Sequence, residues 1–209
     1  MSKFSDEKSR AWFTRHVNDP FVQKAQKQGY RTRASYKLKE ILDKERLLKP
    51  GMCVVDLGAA PGGWSQVAAE YVRPTGQVFA LDLLPMDPIS KVHVLKGDFL
   101  EESTISALND ALVGRQVDCV LCDISPDLTG IRDSDQARAL ELSEAVLFWT
   151  LPRLNSKGVL IIKCFQGVGL EPFHQILKKH FKTVTYCKPE ASRKGSREIY
   201  LLAKQPKLV

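Results

Sequence analysis

Cys53-Val54-Val55-Asp56-Leu57-Gly58-Ala59-Ala60-Pro61-Gly62-Gly63-Trp64 reads as a strand, a loop of small residues and the start of a helix. The strand is entered from the turn Lys49-Pro50-Gly51 and is carried by β-branched valines. Glycine and alanine in the loop let a ligand approach the backbone closely. The loop stands at the carboxyl end of a strand, where open α/β sheets bind their ligands. The Gly-x-Gly-x-x-Gly spacing of dinucleotide sites is absent, and Pro61 lacks an N–H that a pyrophosphate cradle would use. By itself the loop is equally a tight turn that needs glycine.

Outward from this stretch, short β-branched runs alternate with helical patterns. A helix is expected over 64–71, a second strand over 77–83 and a third over 93–96, closing at Gly97-Asp98. Then come a helix over 101–112, a fourth strand over 117–123 and a long amphipathic helix over 135–151. A turn at 155–158 precedes a fifth strand over 159–164, a helix over 171–180, and two last strands over 183–187 and 198–203. This alternation predicts an α/β fold with a mostly parallel, seven-stranded sheet and helices on both faces. The basic loop between the last two strands leaves no room for a crossover helix, so these strands should be antiparallel neighbours. Before the sheet, 33–48 reads as a helix. Leu38, Ile41, Leu42 and Leu48 form its apolar face, with Lys37 and Lys44 largely off it, so its cations should point outward.

The polar residues at strand ends form a series. Asp82 ends the second strand, Asp98 the third and Asp123 the fourth. Unpaired carboxylates are seldom core residues, although each alone could be a turn or cap residue. An acid after the second strand suits ribose hydroxyls, and one after the third can accept from an exocyclic amine. Together with the loop they describe a pocket for a nucleoside without a pyrophosphate. Lys163 follows Val159-Leu160-Ile161-Ile162, so the fifth strand delivers one amine to the same crevice. A snorkelling lysine at a strand end would look the same.

At 209 residues, with 44% hydrophobic and 26% charged residues, the chain suits one soluble domain. Neither an eighteen-residue apolar run nor a secretory leader is visible, so a cytoplasmic protein without membrane attachment is expected. Cys119 and Cys122 have the spacing of a metal pair, but they fall in one strand, where residues three apart face opposite ways. No metal is expected; the five cysteines read as small core thiols. The net charge of +7 is unevenly placed: +7 over residues 1–49, −5 over 50–181 and +5 over 182–209. Lys24, Lys27, Arg31, Arg33, Lys37 and Lys39 are interleaved with Tyr30 and Tyr36. Cations among aromatic rings suit RNA, with stacking on unpaired bases. Residues 1–49 therefore read as a basic, helical RNA-binding extension of a single domain spanning 1–209.

Six motifs in one order carry a resemblance to a known family. They are Arg31-Thr32-Arg33-Ala34-Ser35-Tyr36-Lys37-Leu38, Val54 through Gln66, Asp82-Leu83-Leu84-Pro85-Met86-Asp87-Pro88, Gly97-Asp98-Phe99, Lys163-Cys164-Phe165-Gln166-Gly167 and Ser192 through Tyr200. The chain resembles the FtsJ/RrmJ family, heat-shock-associated 2′-O-ribose methyltransferases of 23S ribosomal RNA. The resemblance implies a Rossmann-like S-adenosylmethionine-dependent methyltransferase fold with one antiparallel strand. It implies a catalytic tetrad of Lys37, Asp123, Lys163 and Glu198, and S-adenosylmethionine contacts at Gly62, Trp64, Asp82, Asp98 and Asp123. The implied substrate is a ribose, of a uridine, in RNA of the large ribosomal subunit, handled by a monomer. One departure stands out: Ser125-Pro126-Asp127 replaces the Ala-Pro-Asn common in the family.

Methyl transfer to a hydroxyl needs the oxygen in line with the donor and its proton removed. An ordinary lysine, with a pKa of about 10.4, is a weak base at neutral pH. A neighbouring cation or burial lowers that value and nearby acids raise it. Lys163 is assigned as base or hydroxyl-orienting group, with Lys37 and Glu198 positioning it and the ribose. Two rivals remain. An RNA base methyltransferase of the cytosine type shares the Ala-Ala-Pro-Gly-Gly loop but needs a cysteine after Pro126, where Asp127 stands. A ribosome-assembly factor without catalysis would not need the four tetrad residues.

Overall fold

The computed structural model describes residues 17–125, 132–193 and 195–207; the side chains of 132–134 fall outside that description. Residues 1–16, Pro126, Asp127 and Lys194, named above, lie outside it too. Two helices come first, α1 (Pro20–Gln28) and α2 (Ala34–Glu45). Then follow β1 (Cys53–Leu57), α3 (Gly63–Val72), β2 (Gln77–Asp82), β3 (Val92–Lys96), α4 (Glu102–Leu112) and β4 (Val117–Cys122). The chain continues through α5 (Arg132–Thr150), β5 (Leu154–Phe165), α6 (Leu170–His180), β6 (Phe181–Cys187) and β7 (Glu198–Pro206).

The strands form one sheet in the order β3-β2-β1-β4-β5-β7-β6. Pairing is parallel from β3 through β5, and β7 runs antiparallel to both β5 and β6. This is the expected seven-stranded sheet with one reversed strand. The turn expected at 155–158 is instead a bulge within β5. Pairing with β4 moves from Val117↔Leu154 to Cys119↔Val159, leaving extra residues on β5. Asn155 performs the turn chemistry there: its amide donates to Asp118 Oδ1 at 2.5 Å and its oxygen accepts from the Lys157 N–H at 2.8 Å.

Alternating strand residues feed two cores. On one face Val55, Leu57, Phe79, Val120, Cys122 and Leu160 pack with Leu108, Leu147 and Phe173 of α4, α5 and α6. On the other, Val54, Val78, Cys119, Leu121 and Ile161 pack with Leu38, Ile41 and Leu42 of α2 and with Val67 and Ala68 of α3. Cys119 and Cys122 thus lie on opposite faces, as the strand period requires. Each buried Leu or Ile of α2 stabilises the fold by about 1.5–3 kcal/mol. The second half of the basic segment is therefore part of the core.

α1 is bounded by its own sequence. The Asp19 carboxylate accepts from the Phe21 N–H at 3.0 Å, Pro20 takes the first helical position, and Gly29 ends the helix at φ 75°. Among the described residues no helix is long and apolar enough to cross a membrane.

Candidate active site

Strand order turns distant sequence positions into one row. β3, β2, β1, β4 and β5 are adjacent and parallel, so Asp98, Asp82, the 58–63 loop, Asp123 and Lys163 follow one another along the carboxyl edge. β7 is reversed, so its first residue, Glu198, reaches the same edge opposite Phe165. The order switches direction between β1 and β4, which is where ligands of such sheets bind.

The four expected catalytic residues meet at one end of this row. Lys163 is almost fully buried; its Nζ donates to the Asp123 carbonyl oxygen at 2.7 Å and faces Asp123 Oδ1 at 3.3 Å. Lys37 Nζ donates to Glu198 Oε2 at 2.7 Å. Tyr200 links the two ion pairs. It stands across from Lys163 in the β5–β7 register, its hydroxyl donates to Asp123 Oδ1 at 3.0 Å, and the Lys37 ammonium lies 5.9 Å from its ring centre. Sequence reasoning missed this residue. Burial, reinforced by the Asp123 carboxylate, pushes the Tyr200 hydroxyl far up, so it remains a donor. Burial also pushes Glu198 up, but the Lys37 hydrogen bond and charge, together with Lys163, more than offset it and hold the carboxyl below its usual range. Glu198 is thus an anion at neutral pH. Lys37 was expected to face outward; it is turned inward because its helix packs against the start of β7 through this pair.

Glycine is required in the loop. A Cβ on Gly58, at φ 75°, would overlap the Ile124 backbone, and one on Gly62, at φ 111°, would meet Ile89, Arg31 and Met86. Gly62 also caps α3, whose N-terminus opens at the crevice. Asp82 does more than end a strand: Oδ2 accepts from the Ala60 N–H at 2.9 Å and Oδ1 from the Leu84 N–H at 2.7 Å. It therefore ties the loop to the turn after β2. Asp98 Oδ1 accepts from the Leu100 N–H at 2.9 Å, so the turn role weighed for it is present. The Trp64 indole points into the core, packed against Tyr200 with ring centres 5.5 Å apart and planes tilted by 38°, and its Nε1 donates to the Ala34 carbonyl. Any ligand contact at Trp64 falls to its backbone.

Beneath the loop, Asp56 is fully buried; Oδ2 accepts from the Ser65 hydroxyl at 2.6 Å and Oδ1 has no protein partner. Burial pushes its carboxyl up to about 7; Ser65 pulls it down and the charges of Asp123 and Asp82 push it up. The unfolded carboxyl titrates near 4, so between pH 4 and 7 the folded chain binds more protons than the unfolded one. Stability from this group therefore falls as pH rises through that window and levels off above it. Asp56→Asn removes the charge and keeps the acceptor for Ser65. Its denaturation free energy relative to wild type should rise by a few kcal/mol, order of magnitude, from pH 5 to pH 8. Parallel pH profiles for the two proteins would contradict this.

The basic N-terminal segment is less free than its charges suggest. Tyr36 is buried against Phe21 and Tyr30, so it cannot stack on a base. Arg33 is held by Asp19 and the Ala191 carbonyl. The Arg31 guanidinium donates to the carbonyls of Pro61 and Asp87 at 2.8 Å and of Pro88 at 3.0 Å. It pins the segment after β2 across the glycine loop. Arg31→Ala should accordingly weaken binding in the loop about tenfold while leaving the salt dependence of RNA binding unchanged. A flatter log–log salt slope would show that Arg31 contacts phosphate instead.

The sheet order, the glycine loop at the switch point and the strand-end acids define a Rossmann-like methyltransferase. The chain belongs to the FtsJ-like methyltransferase family, which it matches over residues 30–206. It is 53% identical over 196 residues to the ribosomal RNA large subunit methyltransferase E of Alkalilimnicola ehrlichii, covering 94% of each chain. The protein of the same name from Neisseria meningitidis is 47% identical over 196 residues, covering 94% of this chain and 95% of that one. A Plasmodium falciparum chain described as a ribosomal RNA methyltransferase superposes with a TM-score of 0.75 at 28% identity, covering 85% of this chain and 98% of that one. The resemblance carried by the sequence motifs is thus a family membership.

Proposed function

We propose that this protein transfers a methyl group from S-adenosylmethionine to a ribose 2′-hydroxyl, of a uridine, in RNA of the large ribosomal subunit. The observation that carries the reading is the joining of Lys163–Asp123 and Lys37–Glu198 through Tyr200 at the end of the crevice. The RNA is taken from the names of the relatives described above.

The crevice suits the cofactor. Its glycine loop stands at the switch point of the sheet, tied to Asp82 through the Ala60 N–H, and Asp82 and Asp98 close the neighbouring strands. Asp82 would hold ribose hydroxyls, Asp98 an exocyclic amine, and the backbone at Gly62 and Trp64 the cofactor's other polar groups, with Asp123 between cofactor and substrate. S-adenosylmethionine, when bound, supplies a methyl group on a sulfonium. Lys163 Nζ either orients the 2′-oxygen as an ammonium or, after giving a proton to solvent, takes the hydroxyl proton as a neutral amine; Asp123 fixes that group, and Glu198 with Lys37 positions the ribose. The cysteine-nucleophile rival is disfavoured, because burial pushes Cys122 and Cys164 up to about 12 and keeps both as thiols.

Calorimetry separates this cofactor from a dinucleotide. S-adenosylmethionine should bind in the crevice and NAD should not; tight NAD binding would overturn the assignment. The chain should act as a single-domain monomer in the cytosol, with sedimentation alone and with RNA as the check.

A further inference from the structure

Beside the catalytic end lies a cavity of about 530 Å³ lined by Arg33, Ala34, Lys37, Arg193, Gly195, Ser196 and Glu198. Three cations face one carboxylate across it. Lys37 and Glu198 neutralise each other. Arg33 is paired with Asp19, and Arg193 reaches the same carboxylate only at 3.8 Å, with its side chain 51% exposed. One carboxylate for two guanidiniums leaves the mouth of the cavity with an uncompensated positive charge. Ser196 Oγ accepts from the Glu198 N–H at 3.1 Å, so its own proton is available to a ligand. A Cβ on Gly195 would meet nothing, which leaves the wall open. The N-terminus of the twelve-residue helix α2 adds to the same field, with no side-chain cap and no acid in its first turn.

The geometry points to a phosphate seat: this cavity holds the phosphodiester next to the target ribose, with Arg193 as its anchor and Ser196 as a second donor. The seat shares Lys37 and Glu198 with the catalytic group, so a phosphate there is one nucleotide step from the reacting hydroxyl. It fixes which ribose along the strand reaches Lys163. Arg193 supplies the planar, two-pronged donor that phosphate oxygens accept. This inference rests on the RNA 2′-O-methyltransferase reading.

The test uses the full-length protein and large ribosomal subunits from cells lacking the enzyme. Equilibrium RNA binding and steady-state methylation are followed across a potassium chloride series. Arg193→Gln should raise Kd and KM by about tenfold to a hundredfold and reduce the log–log salt slope by about one. Its kcat should stay within about twofold and its affinity for S-adenosylmethionine should not move. Lys182→Gln, an exposed cation where β6 pairs with the last residues of β7, at the other end of that strand from Glu198, is the control and should change none of these. If Arg193→Gln and Lys182→Gln behave alike, the cavity is part of a diffuse field and the seat is refuted. Should Arg193→Gln prove unstable, Ser196→Ala serves; it should raise KM severalfold, and an unchanged KM counts against the seat. Inorganic phosphate separates a free anion from an RNA phosphate. If Arg193→Gln removes stabilisation by inorganic phosphate but leaves RNA binding intact, the proposal fails. Binding is read without turnover, so the two failures are distinguishable: a wild type that binds RNA but methylates no ribose overturns the functional reading on which the seat rests, whereas a wild type that methylates ribose with an Arg193→Gln variant of unchanged KM and salt slope overturns the seat alone.

Discussion

Lys163→Ala abolishes methyl transfer while S-adenosylmethionine and ribosomal RNA still bind: this is the largest effect expected. The Lys163 amine is buried at the strand end and held between the carbonyl and the carboxylate of Asp123. A positioned base contributes on the order of 10²–10⁴ in rate, and loss of hydroxyl orientation adds to that. A fall in kcat of at least about a thousandfold is therefore expected in a single-turnover assay. Lys163→Arg distinguishes the two roles of the amine. Guanidinium stays protonated at any accessible pH, so arginine cannot take the proton and should not restore the rate. Measurable activity in the arginine variant would assign Lys163 to orienting the hydroxyl by charge alone. Wild-type rates in the alanine variant would refute a catalytic lysine here.

Asp82→Ala should weaken S-adenosylmethionine binding by at least about a hundredfold, with RNA affinity nearly unchanged. Its two carboxylate oxygens accept from Ala60 and Leu84, so the substitution removes the proposed acceptor for the cofactor ribose and also unties the loop from the turn after β2. Charge-assisted hydrogen bonds contribute about 1.5–3 kcal/mol each, and both are lost. Asp82→Asn, which keeps one acceptor, should fall between. Calorimetry reads the affinity, and an alanine variant that binds as tightly as wild type would remove Asp82 from the site.

Much of the architecture was legible because it is written in local periodicity. The strands and the helices between them fall within a few residues of their expected places, and the antiparallel last pair follows from a short connection. The bulge in β5 was not legible: Asn155-Ser156-Lys157-Gly158 has turn chemistry, and only pairing with β4 keeps it in the strand. The helix α1 carried its own signals, Asp19 before it, Pro20 at its first position and Gly29 after it.

Strand-end residues were readable for the same reason: a polar side chain closing an apolar run is visible in one dimension. Tyr200 was not. It falls in Ile199-Tyr200-Leu201-Leu202 and looks like core, and only the register opposite Lys163 shows its hydroxyl meeting Asp123. Lys37 faces inward for a reason 161 residues away, the Glu198 carboxylate. Arg31 and Arg33 counted as free cations in the charge sum, but backbone carbonyls and Asp19 claim them. Local pattern places the donors; the fold decides which of them are spent internally.

The most direct test of the account is where the methyl group lands. Large ribosomal subunits from cells lacking the enzyme are incubated with the purified protein and S-adenosylmethionine labelled in its methyl group. The RNA is then hydrolysed in alkali. A 2′-O-methyl group blocks cleavage at its own nucleotide, so the account predicts label in a single alkali-resistant dinucleotide, with none on a free base. Label recovered in ordinary mononucleotides as a methylated base would contradict it.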